Sequence, residues 1–359
     1  MEQTIKTEPL AIPGKRDGSP LLIAGPCSAE SLDQILDTAK GLSAFGVPVF
    51  RAGIWKPRTR PGDFEGVGSE GFHWLRRVRE ETGMKIAVEV ATAHHVYESL
   101  KFGTDILWIG ARTTANPFAV QEIADAIKGV NIPVFIKNPV NPDIELWVGA
   151  FERINRSGIG QLAAIHRGFS SNGHSIYRNQ PLWEIPVLFK KRFPDIPMIN
   201  DPSHISGRRD LIGYVAMKAM NLGFDGLMIE SHINPDEALS DRAQQLKPSD
   251  LKILIENIAR RSTLSIHPEE PENLDDLRKQ IDMCDHELLV TLLDRMRVSE
   301  KIGNYKKTRK LAAIQNNRWN ELLSDRLSEG RRIGLRTEFI EGLFNYIHQE
   351  SVNIQTGEN

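Results

Sequence analysis

A rhythm of eight short apolar runs leaves few folds open to this chain. The runs are LLIAGPC from Leu21, VPVFRAG from Val47, KIAVEV from Lys85, ILWIGAR from Ile106, PVFIKNP from Pro133, LAAIHRG from Leu162, PMINDPSH from Pro197 and GLMIES from Gly226. They recur about every 30 residues, the length of a βα unit. Their apolar character is continuous rather than alternating, as expected of strands buried on both faces of a parallel sheet. Helix-length amphipathic stretches separate them. Ser31 to Phe45 stops at Gly46, Asn116 to Lys128 starts on Asn-Pro and stops at Gly129, and Ile205 to Leu222 stops at Gly223. Lys247-Pro248-Ser249-Asp250 opens a last helix that runs to about Arg261. Eight strands, each followed by a helix, predict an α/β fold of the closed (β/α)8 TIM barrel type. An open doubly wound sheet stays as the alternative, because strand order is not written in a sequence.

A barrel takes about 250 residues, and the chain has 359. The surplus begins at TLSIHPEEPE, Thr263 to Glu272, a polar segment with two prolines that reads as a linker. Beyond it Asn273 to Lys307 forms one proline-free helical pattern whose apolar stripe includes Leu274, Leu277, Ile281, Leu288, Leu292 and Met296. Shorter helical patterns follow at Asn316 to Glu329 and Thr337 to Val352. The expected domains are therefore 1–262, a linker at 263–272, and an all-α unit of three helices at 273–359. Three helices alone bury such a stripe poorly, so the long one is expected to pack against a second copy.

Lysine and arginine total 45 against 47 acidic residues, a net charge of −2, which argues against a nucleic-acid partner. Mean hydropathy is −0.33 and no apolar run approaches the ~18 residues of a membrane span. The first residues carry no apolar signal core, and two cysteines, Cys27 and Cys284, make no disulfide framework. The expectation is a cytoplasmic protein with no membrane partner.

In a (β/α)8 barrel the chemistry gathers at the C-terminal ends of the strands. Here those ends carry Cys27, Arg51, Glu89, Arg112, Lys137, Arg167, His204 and Glu230. Four cations from four strands, joined by Lys56, suit a small polyanion, which arginine grips through paired donors. Cys27, His204, Glu230 and Asp241 form a mixed sulfur, nitrogen and oxygen set suited to a divalent transition ion. Against these stand plainer readings: solvated rim charges, a small buried cysteine, a structural histidine. The loop from Ile54 to Ser69 is long and rich in Pro, Gly and Arg, and Lys56, Arg58, Thr59 and Arg60 crowd within it as a site for a second phosphate.

The motifs GPCS (Gly25–Ser28), FRAG (Phe50–Gly53), WKPRT (Trp55–Thr59), IGAR (Ile109–Arg112), IKNP (Ile136–Pro139), IHRGF (Ile165–Phe169), DPSH (Asp201–His204), MIESH and LSDRAQQL resemble, in order, those of the 3-deoxy-D-arabino-heptulosonate-7-phosphate (DAHP) synthases. The resemblance covers Leu21 to Arg261, and the early start of the barrel points to the compact branch of that family. It implies condensation of phosphoenolpyruvate with erythrose 4-phosphate, releasing phosphate, the first step of the shikimate pathway. It further implies that Cys27, His204, Glu230 and Asp241 hold one divalent metal ion, Mn2+ foremost. Arg51, Lys56, Ala111, Arg112, Lys137 and Arg167 would bind phosphoenolpyruvate, Arg58 and Thr59 would bind the sugar phosphate, and Lys56 and Lys137 would act in catalysis. Which group delivers the water stays open between Glu89 and Lys137. The octulosonate-phosphate synthases share the fold and first substrate, but the KPRT form of the loop favours the heptulosonate enzymes.

In the tail, Arg295 and Lys306 are eleven residues apart, close to three turns and about 16 Å of rise, so both face one side. Ser351 and Gln355, at i and i+4 on the last helix, could complete a small anion site. Arg278 precedes Arg295 by seventeen residues, about 25 Å away, and would serve a pocket on a partner subunit. Solvent-exposed cations on a long helix are the plainer reading. Asn273 to Gln355, with LRKQIDMCDHELLVTLLDRM, IGNYKK, QNNRW and ESVNIQ, resembles the all-helical chorismate mutases. That implies rearrangement of chorismate to prephenate, without a cofactor, in a dimer. The substrate would be bound by Arg278, Arg295, Lys306, Arg318, Ser351 and Gln355, with Lys306 and Gln355 acting on the breaking ether bond. Gln315 and Trp319 depart from the family, standing where some members carry acids. A bifunctional enzyme follows, with feedback inhibition of the barrel through the tail. The alternatives are a barrel synthase with a non-catalytic ligand-sensing, dimerising tail, or a metal-dependent barrel lyase for another phosphorylated substrate.

Overall fold

The computed structural model describes residues 5–10, 20–56, 62–170, 175–264, 274–309, 316–332 and 334–356. The chain divides into two compact units, Met1–Pro268 and Glu269–Asn359. In the first, eight parallel strands close into a barrel in sequence order, β1 (Leu21–Gly25), β2 (Val49–Arg51), β3 (Lys85–Val90), β4 (Ile106–Ile109), β5 (Val134–Lys137), β6 (Leu162–His166), β7 (Met198–Asn200) and β8 (Gly226–Glu230). Closure is made by β1 on β8, whose last pair in register is Gly25 and Glu230. No open sheet edge remains among these strands, which settles the choice between barrel and doubly wound sheet.

Leu32–Ser43 (α1) follows β1, Gly71–Thr82 (α2) follows β2 and Ala93–Lys101 (α3) follows β3. Ala111–Thr114 (α4) and Pro117–Ala126 (α5) follow β4, Ile144–Arg156 (α6) follows β5 and Glu184–Arg192 (α7) follows β6. Pro202–Ser206 (α8) and Arg209–Asn221 (α9) follow β7, and Pro248–Leu264 (α10) closes the unit. The starts are chemically explicit. Ser31 caps α1 by accepting from the Gln34 amide, and Asn116 caps α5 by accepting from the Phe118 and Ala119 amides. The barrel lumen is filled by Leu21, Ile23, Val49, Trp108, Phe135, Ile165, Ile199 and Met228, while two further cores lie between strands and helices.

Two expectations need correction. The pattern from Ile205 to Leu222 is two helices, because Gly207 adopts a φ of +68° and its amide closes α8 on the Ser203 carbonyl. That break turns His204 into part of a single short turn at the mouth. The linker expected from Thr263 begins later, since Thr263 and Leu264 still belong to α10; its remaining residues lie outside those described.

The second unit contains Leu274–Thr308 (α11), 35 residues long, Asn316–Arg332 (α12) and Thr337–Thr356 (α13). Gly303 lets α11 and α13 approach closely: a β-carbon there would sit 2.9 Å from the Gln355 α-carbon. No helix among the described residues is long and apolar enough to cross a membrane.

His166, at the end of β6, is fully buried between Phe169, Trp183 and Phe224. Its Nε2 donates to the Pro181 carbonyl at 2.6 Å and its Nδ1 accepts from Asn200 at 3.2 Å. Burial pushes its pKa down to about 3, so the native ring stays neutral while the unfolded ring protonates below about 6.5. The unfolded state therefore binds the extra proton, and this residue's contribution to stability falls as pH drops from about 6.5 toward 3, by up to about 1.4 kcal/mol per pH unit. We expect the stability advantage of the wild type over His166→Gln, measured by urea unfolding at pH 7 and pH 5, to shrink at the lower pH. An advantage independent of pH would contradict this account.

Candidate active sites

At the barrel mouth the strands deliver ionisable side chains into one buried cluster. Arg51 ends β2 and Glu230 ends β8, and they pair at 3.1 Å with side chains 1% and 0% exposed. The second terminal nitrogen of Arg51 donates to the Cys27 carbonyl at 3.2 Å, and the guanidinium lies 5.0 Å from the Trp108 ring centre. Cys27 follows β1 by two residues. Its Sγ is 3.3 Å from Asp241 and 3.0 Å from the Lys56 ammonium, which also reaches the Cys27 carbonyl. The ligand atoms of Cys27, Glu230 and Asp241 all lie within 4.8 Å of one another. His204 stands beside them, its Nε2 3.7 Å from Glu230.

Asp201, fully buried, organises this edge. It caps α8 by accepting from the His204 amide, contacts His204 Nδ1 at 2.8 Å and pairs with Lys137 at 2.8 Å. A carboxylate on Nδ1 fixes the tautomer and leaves the Nε2 lone pair available to a metal. Burial pushes the His204 pKa down, which keeps the ring neutral as a ligand must be. Asp201 itself is held well below the usual carboxylate range: burial opposes its charge, but His204 and Lys137 outweigh that cost. Asp241 is also lowered, burial being outweighed by His204, Arg178 and Lys56. Its backbone sits at a φ of +47°, unusual for a non-glycine residue and a mark of imposed geometry. The Cys27 thiol, by contrast, is pushed up to about 12 by burial and by Glu230. A proton fills a place that a divalent cation would take, since a coordinating thiol is deprotonated by its metal. Thiolate, imidazole and two carboxylates match a transition-metal donor set, and these residues fit one.

Of the remaining expected residues, Lys137 is buried against Asp201 and Arg167 donates to Asn179 at 2.7 Å. Burial lowers the Arg167 pKa to about 10. Ala111 is buried and Arg112 exposed at the start of α4, directly after β4. Glu89 accepts from the Trp108 indole at 3.1 Å and, with Trp55, Lys56, Glu65, Ala91 and His95, lines a cavity of about 210 Å3. Arg58, Thr59 and Arg60 fall outside the described residues.

Sequence reasoning missed Asp201, Arg178 and Gln244. Arg178 pairs with Asp241 at 3.0 Å, and Gln244 donates to Glu230 at 2.7 Å. Only Asp201 had a legible signal, its position three residues before His204 across a helix start.

In the helical unit, four expected residues meet between α11 and α13. Arg295 donates to the Ser351 hydroxyl and, at 3.4 Å, to the Ile347 carbonyl, and Lys306 donates to Gln355 Oε1 at 3.0 Å. Arg278 is exposed on α11, about 25 Å from Arg295 by helix rise. The Arg318 side chain and Gln315 fall outside what is described. Trp319 stacks on His348, a residue the sequence reading did not single out.

Comparison with known proteins matches each unit to a family. The model of the DAHP synthetase I family matches residues 5–263, and that of chorismate mutase type II matches 277–356. A phospho-2-dehydro-3-deoxyheptonate aldolase of Thermotoga maritima is 32% identical over 237 residues, 66% of this chain and 68% of that protein. A 2-dehydro-3-deoxyphosphooctonate aldolase of Synechococcus is 30% identical over 272 residues, 68% of this chain and 89% of that protein. The crystal structure of the Thermotoga maritima DAHP synthase superposes with a TM-score of 0.63 at 31% identity, covering 69% of this chain and 70% of that one.

If Asp201 orients His204 toward a metal, Asp201→Asn should weaken binding of a divalent ion about 10- to 100-fold. Competition against a chromophoric chelator measures this. Unchanged affinity would place His204 outside the ligand set.

Proposed function

The chain belongs to the DAHP synthetase I family and carries a chorismate mutase type II domain after it, and from that premise we propose how its own residues divide the two reactions. The observation that carries the synthase assignment is the buried cluster of Cys27, Glu230 and Asp241 with His204 at its edge. These four hold one divalent metal ion, with Mn2+ the first expectation for a set of one sulfur, one nitrogen and two carboxylates. When bound, the ion supplies Lewis-acid polarisation of the sugar's aldehyde oxygen.

The chain's own groups do the rest. Lys56, Arg112, Lys137 and Arg167 gather phosphoenolpyruvate, with the buried Arg51 adding charge while it holds Glu230. Arg58 and Thr59 take the phosphate of erythrose 4-phosphate. Offsetting these anions lets C3 of the enol approach C1 of the aldehyde and form the carbon–carbon bond. The aldehyde oxygen becomes a hydroxyl, water adds at the former enol C2, and the C2–O bond to phosphate breaks to leave the ketone. Glu89 is better placed than Lys137 to take the proton of that water. One of its oxygens is held by Trp108 beside an open cavity, whereas the Lys137 ammonium is committed to Asp201. The octulosonate aldolases among the relatives are the competing specificity, and the KPRT sequence of the loop supports erythrose 4-phosphate over a longer sugar.

In the mutase unit, Arg295 and Ser351 grip one carboxylate of chorismate, and Arg318 with Arg278 of a second copy serves the other. Fixing both carboxylates holds the reactive conformer. Lys306 stabilises charge growing on the ether oxygen, and Gln355, which accepts from Lys306 through Oε1, has its amide N–H left to donate there. The homodimer is supported by apolar side chains left at the surface of α11: Ile281, Leu288, Leu289 and Leu293 are 60, 47, 65 and 45% exposed. Chorismate or prephenate bound in this unit acts as a feedback inhibitor of the synthase.

Assaying both reactions in the full chain, with and without chelator, tests the division. Chelation and Cys27→Ala should abolish condensation only, and Lys306→Ala should cut rearrangement at least about a hundredfold while sparing condensation. A wild type without mutase activity would leave the tail as a sensing and dimerising module. Synthase kinetics unchanged by saturating prephenate would remove the feedback reading.

A further inference from the structure

Trp319 on α12 and His348 on α13 lie face to face, with ring centres 3.9 Å apart and planes 11° from parallel. His348 also belongs to the stripe of α13 that bears the mutase ligands. It precedes Ser351 by three residues and Gln355 by seven, so all three lie on one helix face. Ser351 and Gln355 accept hydrogen bonds from Arg295 and Lys306 of α11. The charged groups that act on the imidazole are those same two cations. From α12 it meets the uncharged indole, and no carboxylate among the described residues offsets the positive charge around it. Partial burial and the two cations hold its pKa below the ordinary histidine value. Two cations and an imidazole, on facing helices and beside the hydroxyl and amide of Ser351 and Gln355, bring several donors to one place suited to an anion.

We propose that His348, held flat by Trp319, is a specificity-determining residue of the mutase site and donates its ring N–H to the substrate carboxylate that Arg295 and Ser351 hold. This rests on the mutase reading above. Trp319 is a positioning residue in this arrangement: its indole fixes the plane of the imidazole. The stack also accounts for an aromatic residue at position 319, since a carboxylate there would compete with the substrate for Arg295, Lys306 and the imidazole.

Ligand binding adds negative charge beside His348 and favours its protonated form, so affinity must rise as pH falls through its pKa in the complex. The substrate's carboxylates do not titrate near neutrality, and neither does an arginine guanidinium. A pH-dependent affinity between pH 6 and 8.5 is therefore a signature of the imidazole, one that a purely structural stack would not produce.

The test measures KM and kcat for chorismate, and calorimetric affinity for prephenate, across that pH range in the full chain. The variants are His348→Phe, which keeps a ring on Trp319 without the N–H, and His348→Gln, which keeps a donor that does not titrate. Wild type should bind more tightly as pH falls. His348→Phe should raise KM and weaken prephenate binding about tenfold at pH 6.5, change KM by more than kcat, and lose the pH dependence. His348→Gln should recover much of the affinity at pH 8.5 but none of the pH dependence. Wild-type affinity and an unaltered pH profile in His348→Phe would overturn the assignment. Absence of chorismate turnover in the wild type would instead defeat the mutase reading, and prephenate affinity would still decide whether His348 reads the anion.

Discussion

The ion pair between Arg51 and Glu230 is the contact on which the barrel site depends. Both side chains are removed from water, and taking either charge there alone would cost several kcal/mol. They are tolerated because each is satisfied more than once. Arg51 also serves the Cys27 carbonyl, and Glu230 also accepts from Gln244 while facing His204. The pair joins β2 to β8 across β1, so it spans the seam where the barrel closes. Glu230 is thereby kept ionised, and its charge in turn helps to hold the proton on Cys27. That a buried thiol stands beside two carboxylates and a histidine is a consequence of how the barrel closes.

The strands, the lumen and the short helices were legible because burial on both faces writes a continuous apolar run and because caps use few residue types. Ser31 and Asn116 begin their helices as the sequence implies. Where local pattern failed, a single backbone preference intervened: apolar spacing ran smoothly through Gly207, but its left-handed conformation ended one helix and began another. The residues gathered at the barrel mouth were legible for a related reason, since the closed barrel fixes which end of every strand meets there. The residues that set their ionisation were not. Arg178 reaches Asp241 across 63 positions, and Lys137 reaches Asp201 across 64. No local spacing encodes such pairs, and only the closed barrel brings them together.

The helical unit illustrates the same limit in a simpler geometry. Arg295 and Lys306 share a face because eleven residues make nearly three turns, and Ser351 and Gln355 share one because they are four apart. That the two faces meet is not written in either spacing. It requires Gly303, where any β-carbon would press on the α-carbon of Gln355. The stack of Trp319 on His348 is likewise a product of three helices folding together. Neither residue type announces a ligand site when read alone.

The two units meet one problem, holding small anions, with different electrostatics, and their burial explains why. In the barrel, Glu230, Asp201 and Asp241 are surrounded by cations deep enough that each charge needs a fixed partner. Such a site is nearly balanced before any ligand arrives, and a divalent ion held by Cys27, Glu230 and Asp241 would take the place of the Cys27 proton. In the helical unit, Arg295 and Lys306 are half-buried, and among their hydrogen-bond acceptors are the neutral Ser351 and Gln355. Water still reaches these cations, so their charge does not demand the fixed partners that the deeply buried groups of the barrel need. A unimolecular rearrangement needs no more than this, since no proton or electron pair has to leave the substrate. A condensation that joins two anions and adds water needs acids, cations and a Lewis acid in one place. The buried and the solvated arrangement thus follow from the charge changes that each reaction must accommodate.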